Sequence, residues 1–177
     1  NFSKFFDKNI IKELTSFAGW NLFGSLSTIG KNQGLTIIYN LFFTTSINAA
    51  YAVATQISSQ LLFFSRTLMQ TIRPQMASSE GEGDRVRLMD LIFKGCKFSF
   101  MLTAFVVIPF LFESKSIYRF WLGDDYPNYT ELFTFFILIN ILLYQLTIGI
   151  HSGIQSIGKI KNYQITVGVF ELLALPV

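Results

Sequence analysis

No charged side chain interrupts the stretch NQGLTIIYNLFFTTSINAAYAVATQISSQLLFFS, which covers residues 32–65. A helix needs about 20 mostly apolar residues to cross the hydrocarbon core of a bilayer, so this stretch is too long for one crossing. A polar break at residues 44–48 divides it. The stretch therefore predicts parts of two consecutive membrane-spanning helices.

Three further stretches lack charge, at residues 14–30, 98–112 and 132–158. Charged residues make up 14% of the chain, against roughly 25% in soluble domains. We predict an all-α, polytopic transmembrane helix bundle. The predicted spans are residues 15–38, 48–71, 88–112, 130–150 and 163–177, and the last one is incomplete. Because the chain begins with Asn1 and stops inside an apolar stretch, we expect a partial domain truncated at both ends.

Lysine and arginine are distributed unevenly between the two ends of the predicted spans. Cytoplasmic loops of membrane proteins carry the excess of these residues. We therefore expect residues 1–14, 78–87 and 158–162 to be cytoplasmic, and the protein to lie in a bacterial inner membrane. Eight basic residues are on that side and two on the other: Lys4, Lys8, Lys12, Arg73, Arg85, Arg87, Lys159 and Lys161 against Lys115 and Arg119.

The first two predicted spans are both amphipathic. At 100° per residue, the polar side chains of the second span fall within about 140° of one another, and apolar side chains occupy the remainder. Pro74 is expected to end this helix, because proline cannot continue the hydrogen-bond ladder. The polar faces contain Asn21, Gly24, Ser25, Thr28, Lys31 and Asn32 on the first span, and Gln56, Ser59, Gln60, Arg66, Thr67, Gln70 and Arg73 on the second.

Lys31 and Arg66 are the charges that lie deepest in these two spans. A charge at the centre of a bilayer costs about 2.5–3.5 kcal/mol on insertion scales, so such residues usually face a bundle interior or a wet cavity. We therefore predict a hydrated, positively charged lumen that suits a phosphate or pyrophosphate group. Two alternatives stay open, because long basic side chains also snorkel to the interface and glutamines also join packed helices. The candidate hydrogen-bonding residues of the lumen are Asn21, Thr28, Asn32, Gln56, Gln60 and Gln70.

The fifth predicted span carries one acidic residue, Glu171. An intramembrane carboxylate is a candidate site for ion coupling, and the alternative is that it pairs with a basic residue outside this sequence. With one cysteine and one histidine, the chain offers neither a metal cluster nor a catalytic triad. No basic face suggests nucleic acid. We expect no enzyme activity, no metal and no cofactor.

Four stretches together resemble a family of membrane transporters. YAVATQISSQLLFFSRTLMQTIRPQMA at residues 51–77 carries Tyr51, Ala54, Gln56 and a Pro-Gln pair at its end, and is similar to the eighth span of polysaccharide and O-antigen flippases. The other three are similar to the start of the seventh span, an aromatic outer-loop element, and the connector before the eleventh span. They are GWNLFGSL at 19–26, FWLGDDYP at 120–127 and SIGKIKNYQI at 156–165.

This resemblance is to the multidrug/oligosaccharidyl-lipid/polysaccharide exporter superfamily, and it covers nearly the whole chain in order. It implies a MATE-like half, with helices seven to eleven of a twelve- to fourteen-helix transporter. It implies a flippase that moves undecaprenyl-diphosphate-linked oligosaccharide to the outer leaflet by alternating access, for O-antigen, lipopolysaccharide or capsule biosynthesis. Its partners would be this lipid-linked substrate, membrane lipids and other polysaccharide-assembly proteins. Lys31 and Arg66 would be the cationic residues by position.

Two other functions compete with this interpretation. A multidrug or cation antiporter of the same superfamily would need acidic residues in the lumen, and Glu171 is the one candidate. A non-transporting or catalytic membrane subunit would need a constellation of reactive groups in its loops, and the predicted loops are short.

Overall fold

A computed structural model describes residues 8–158 and 160–173, and within them every regular element is a helix. The all-α fold class is therefore confirmed. Parts of three predicted segments lie outside the described residues: 1–7 of the cytoplasmic N-terminus, 159 of the connector, and 174–177 of the fifth span. The helices are α1 (Lys8–Phe42), α2 (Thr45–Gly81), α3 (Arg85–Leu122), α4 (Thr130–Gln145), α5 (Ile148–Ile157) and α6 (Lys161–Leu173).

α1, α2 and α3 extend beyond the first three predicted spans, and the turns between them are correspondingly short. The predicted span 130–150 is instead divided, since α4 ends at Gln145 and α5 begins at Ile148. The turn between α2 and α3 contains residues 82–84, where the Asp84 side chain accepts a hydrogen bond of 2.9 Å from the Arg87 backbone N–H and caps α3. The prediction that the helix ends at Pro74 is wrong, because α2 continues through Pro74 to Gly81. Proline leaves the carbonyl of Gln70 without its usual helical donor, and both residues are exposed, so solvent can supply one.

The chain divides into two compact units. The first contains residues 8–38 and 157–173 of the described chain, which are most of α1 together with α6. The second contains residues 39–156, which include α2, α3 and α4 and nearly all of α5.

In the second unit, α3 runs antiparallel to α2 and to α4–α5. The core near one end consists of Val107, Leu138 and Ile141, against which Leu61 and Leu62 pack. Towards the other end, Arg73 Nε donates a hydrogen bond of 3.3 Å to Ser152 Oγ. Residues 61–62 of α2 thus lie near residues 138–141 of α4, and residue 73 of α2 lies near residue 152 of α5. The residue numbers of the contacts rise together, so α2 and α4–α5 are parallel and their C-terminal ends lie on the same side of the unit.

Small residues make several of the helix contacts of the second unit. A Cβ atom added to Gly149 would lie 2.2 Å from the Ile92 carbonyl oxygen and 2.8 Å from Cys96 Sγ, so α5 approaches the backbone of α3 directly. Small and hydroxyl side chains at helix contacts are typical of packing between membrane helices. The buried polar residues of this unit include Ser58, Ser65, Ser79, Ser99, Thr103, Thr130, Thr134 and Ser152.

Among the described residues, one helix, α3, is long and apolar enough to cross a membrane. The pair α4 and α5 would count as a second if it forms one span, with a bend of 48° at its break. The polar faces of α1 and α2 explain why these helices, which are nearly as long as α3, do not meet the same criterion. That the chain forms a five-span membrane bundle therefore stays a prediction.

Candidate functional site

The candidate site lies in the first unit, along the seam where α6 packs against α1. Residue numbers rise together on the two helices, so they are parallel. The two residues of each contact are 140 or 141 positions apart in the sequence. The contacts, in order, are Trp20 with Lys161, Gly24 with Gln164, Ser27 with Gly168, and Lys31 with Glu171.

Gly24 permits the close approach of the two helices. A Cβ atom added there would lie 2.1 Å from Gln164 Oε1, and Gln164 is buried. One turn earlier, Lys161 Nζ lies 5.6 Å from the centre of the Trp20 ring, within the range of a cation–π interaction. The seam therefore places polar side chains from both helices in contact.

An ion pair is the last contact in the described part of the seam. Lys31 Nζ lies 3.1 Å from Glu171 Oε1, and Thr28 Oγ1 lies 2.7 Å from Glu171 Oε2. The Thr28 hydroxyl is also 3.1 Å from the Gly24 carbonyl oxygen. A hydroxyl has one hydrogen to donate, and the carboxylate oxygen is both closer and charged. Glu171 thus has a partner on each of its oxygens.

The ion pair is partly accessible. The side chains of Lys31 and Glu171 are 29% and 20% exposed, so the ion pair is neither fully exposed nor fully buried. A small anionic group can therefore reach the ammonium without complete separation of the helices. The chemistry available here is recognition of an anion by a primary ammonium, assisted by the hydroxyl of Thr28.

The remaining candidates on α1 flank this seam. Asn32 is exposed, and Asn21 is half-buried. The Asn21 side-chain amide donates a hydrogen bond of 3.2 Å to the Phe17 carbonyl oxygen. Both belong to the polar face predicted for this helix. The structure gives them no contact with Lys31, so their role as hydrogen-bonding residues of a lumen stays a prediction.

The candidates on α2 lie in the second unit. Arg66 and its polar neighbours are on the face opposite the one that packs against α3 and α4, and they are exposed. The polar face of α2 is thus the face that does not pack within the second unit, and that it lines a lumen stays a prediction. Whether Arg66 shares a lumen with Lys31 stays a prediction. The exposed candidates of this face are Gln56, Gln60, Arg66 and Gln70.

Two features were missed from the sequence, and the first of them belongs to the site. The pairing of Lys31 with Glu171 joins positions 140 residues apart, which no local periodicity can indicate. Gln145 is the second, since it is fully buried where α4 ends, and its side-chain amide has no hydrogen-bond partner among the residues described. Its position in the mostly apolar second half of α4 was the available signal.

Residues 8–158 and 160–173 contain no group of three or more histidine, cysteine, aspartate or glutamate side chains that could hold a metal ion. The chain matches no family model, no curated protein and no solved structure. The resemblance to oligosaccharide flippases therefore rests on the four sequence stretches quoted above.

Proposed function

We propose that this chain is part of a multi-pass inner-membrane transporter that flips an undecaprenyl-diphosphate-linked oligosaccharide by alternating access. The observation that carries the proposal is a partly accessible ammonium, Lys31, inside a polar helix seam of a chain whose other helices expose apolar surface. A diphosphate is the part of such a substrate that an ammonium would attract.

The outer face of α3 supports a membrane location. Its exposed apolar residues recur at helical spacing along one stripe, which is about 21 Å long at 1.5 Å per residue. Only 28% of the apolar segment of α3 is buried within the chain, whereas the core helix of a soluble protein is mostly buried. A patch of this kind suits hydrocarbon rather than water. The stripe consists of Phe98, Met101, Phe105, Ile108 and Phe112.

Helix directions also support the alternating topology. In the second unit, α2 and α4–α5 are parallel and α3 runs against them, as three consecutive crossings require. In the first unit, α1 and α6 are parallel, as two odd-numbered spans would be. In this proposal, residues 1–14, 78–87 and 158–162 face the cytoplasm, which agrees with the excess of basic residues there.

A cation antiporter remains the second candidate because Glu171 is a carboxylate within the seam. In the structure, that carboxylate is neutralised by Lys31 at 3.1 Å. A cation would therefore have to displace Lys31 from Glu171, and an anion would have to displace Glu171 from Lys31 and Thr28. The ion pair alone does not separate the two candidates, and we prefer the flippase because of the sequence resemblance.

The test uses the protein that contains this chain, expressed in a strain that lacks its gene. We expect Lys31→Met to reduce surface polysaccharide, and Arg66→Met to do the same if both residues line the lumen. Lys115→Met is the matched control, since it removes one exposed positive charge from α3. Normal polysaccharide with Lys31→Met, at equal amounts of membrane protein, would contradict the proposal. Loss of drug resistance instead of polysaccharide would favour the antiporter.

A further inference from the structure

The Lys31–Glu171 ion pair has a consequence for ligand binding. We propose that Glu171 is an internal competitor of the anionic ligand, so that a prenyl diphosphate must displace this carboxylate before it occupies Lys31. The inference rests on the proposed function and adds to it a mechanism that regulates the site. In the absence of ligand, Glu171 keeps the ammonium neutralised.

The geometry places Glu171 where a ligand oxygen would lie. Its Oε1 atom is 3.1 Å from Lys31 Nζ, and its Oε2 atom is 2.7 Å from the Thr28 hydroxyl. A phosphate oxygen would use the same two donors, one charged and one neutral. The carboxylate thus imitates the group that the site is proposed to bind.

Simultaneous binding of both anions is disfavoured. A diphosphate carries more than one negative charge, and like charges that share one ammonium repel each other strongly where water is partly excluded. The seam excludes much of the water, since four-fifths of the Glu171 side chain is covered. Ligand binding is therefore expected to move Glu171 away from Lys31.

The displaced carboxylate would have no second cation nearby on its own helix. The other basic residue of described α6 is Lys161, ten residues away, or roughly 15 Å along the axis, and it lies over the Trp20 ring. Loss of the ion pair would therefore weaken the contact between α1 and α6 at this level. Ligand binding would favour a conformation in which the seam is looser.

The first experiment measures binding of farnesyl diphosphate to the purified full-length protein in nanodiscs. We expect Glu171→Gln to bind about tenfold more tightly than the wild type, because a competing ion pair of intermediate exposure is removed. Lys31→Met should bind most weakly. Glu113→Gln is the matched control, since it removes one exposed carboxylate from α3 and should leave the affinity unchanged.

The second experiment detects the displacement itself. A carbodiimide joins an amine and a carboxylate in contact through an amide bond, and mass spectrometry of the peptides then reports the Lys31–Glu171 linkage. We expect the linkage to form in the wild type and to decrease as farnesyl diphosphate is added, whereas farnesol, which lacks phosphate, has no effect. Glu171→Asp is a milder variant, should Glu171→Gln fail to fold. Its shorter side chain brings the carboxylate less close to Lys31 while both ligand donors remain, so it should tighten binding about twofold.

The outcomes separate this inference from the proposed function. Competition is excluded, but the cationic site stands, if three results are found together. Lys31→Met weakens binding, neither Glu171→Gln nor Glu171→Asp tightens it, and the linkage persists at saturating probe. If Lys31→Met binds the probe as well as the wild type, the cationic site itself is excluded, and so is the competition between Glu171 and the ligand.

Discussion

Lys31 and Glu171 are 140 residues apart in the sequence, yet their Nζ and Oε1 atoms lie 3.1 Å apart. The pair joins α1 to α6 at the end of a seam in which each contact advances by three or four residues on both helices. A charged pair at this position serves two purposes, because it stabilises the helix contact and holds a cation within the seam.

The first prediction concerns the coupling of these two charges. Lys31→Met and Glu171→Gln should each destabilise the protein by about 1–3 kcal/mol, between the values of exposed and buried pairs. The double variant should lose less stability than the two single variants added together, because it leaves no charge without its partner. Thermal unfolding of the purified protein in detergent measures all four forms. Strictly additive losses would mean that the ion pair contributes nothing to the seam.

The helical fold and the faces of its helices could be predicted from the sequence. The charge-free stretches indicated helices, and the amphipathic pattern placed the polar residues of α2 on one face, which is exposed at Arg66 and Gln70. That this face lines a lumen stays a prediction. The pairing of helices could not be predicted, because the Lys31–Glu171 and Gly149–Cys96 contacts depend on tertiary structure. The prediction that the helix ends at Pro74 was wrong for a local reason, since solvent can replace the one hydrogen bond that proline removes.

The contact between α5 and α3 provides the second prediction. In Gly149→Ala the new Cβ atom would lie 2.2 Å from the Ile92 carbonyl oxygen, and backbone cannot move aside as a flexible side chain does. We expect a loss of about 1–3 kcal/mol, the usual range for overpacking. Gly19→Ala is the control, because no described atom lies within 4 Å of its Cβ position. It should be neutral or stabilising by up to about 1 kcal/mol. Equal melting temperatures for the two variants would argue against this packing.

The apolar stripe of α3 provides the third prediction. Phe105 and Phe120 are 78% and 95% exposed, so a lysine at either position disturbs little packing within the chain. Phe105→Lys should lower membrane integration by about 2.5–3.5 kcal/mol if this residue faces hydrocarbon. Phe120→Lys, beside Arg119 near the end of α3, should have little effect. Resistance to alkaline extraction from membranes measures integration, and equal resistance would contradict hydrocarbon contact at Phe105.

The loop between α3 and α4 provides the fourth prediction, which concerns pH. The Tyr126 hydroxyl donates a hydrogen bond to Glu131, and this bond is the main reason that the pKa of Tyr126 is raised above its ordinary value of 10.0. The stabilisation is complete below that value and is lost as the pH rises through the raised pKa. Absorbance at alkaline pH, taken as the difference from Tyr126→Phe, reports the titration. Glu131→Gln should shift it to lower pH, and an unchanged titration would exclude Glu131 as the cause.

The predicted orientation gives the last test. Cys96 is the one cysteine of the chain, so a Cys96→Ser background, with any cysteine outside this sequence also replaced, allows single reporters. Asp125→Cys lies in the exposed turn before α4, and Glu82→Cys lies in the exposed turn before α3. In spheroplasts, a membrane-impermeant maleimide should label Asp125→Cys at once and Glu82→Cys only after permeabilisation. Labelling of both reporters in sealed spheroplasts would mean that the 82–84 and 123–129 turns share one side, and α3 would then not cross the membrane. Labelling of Glu82→Cys alone would reverse the orientation derived from the basic residues.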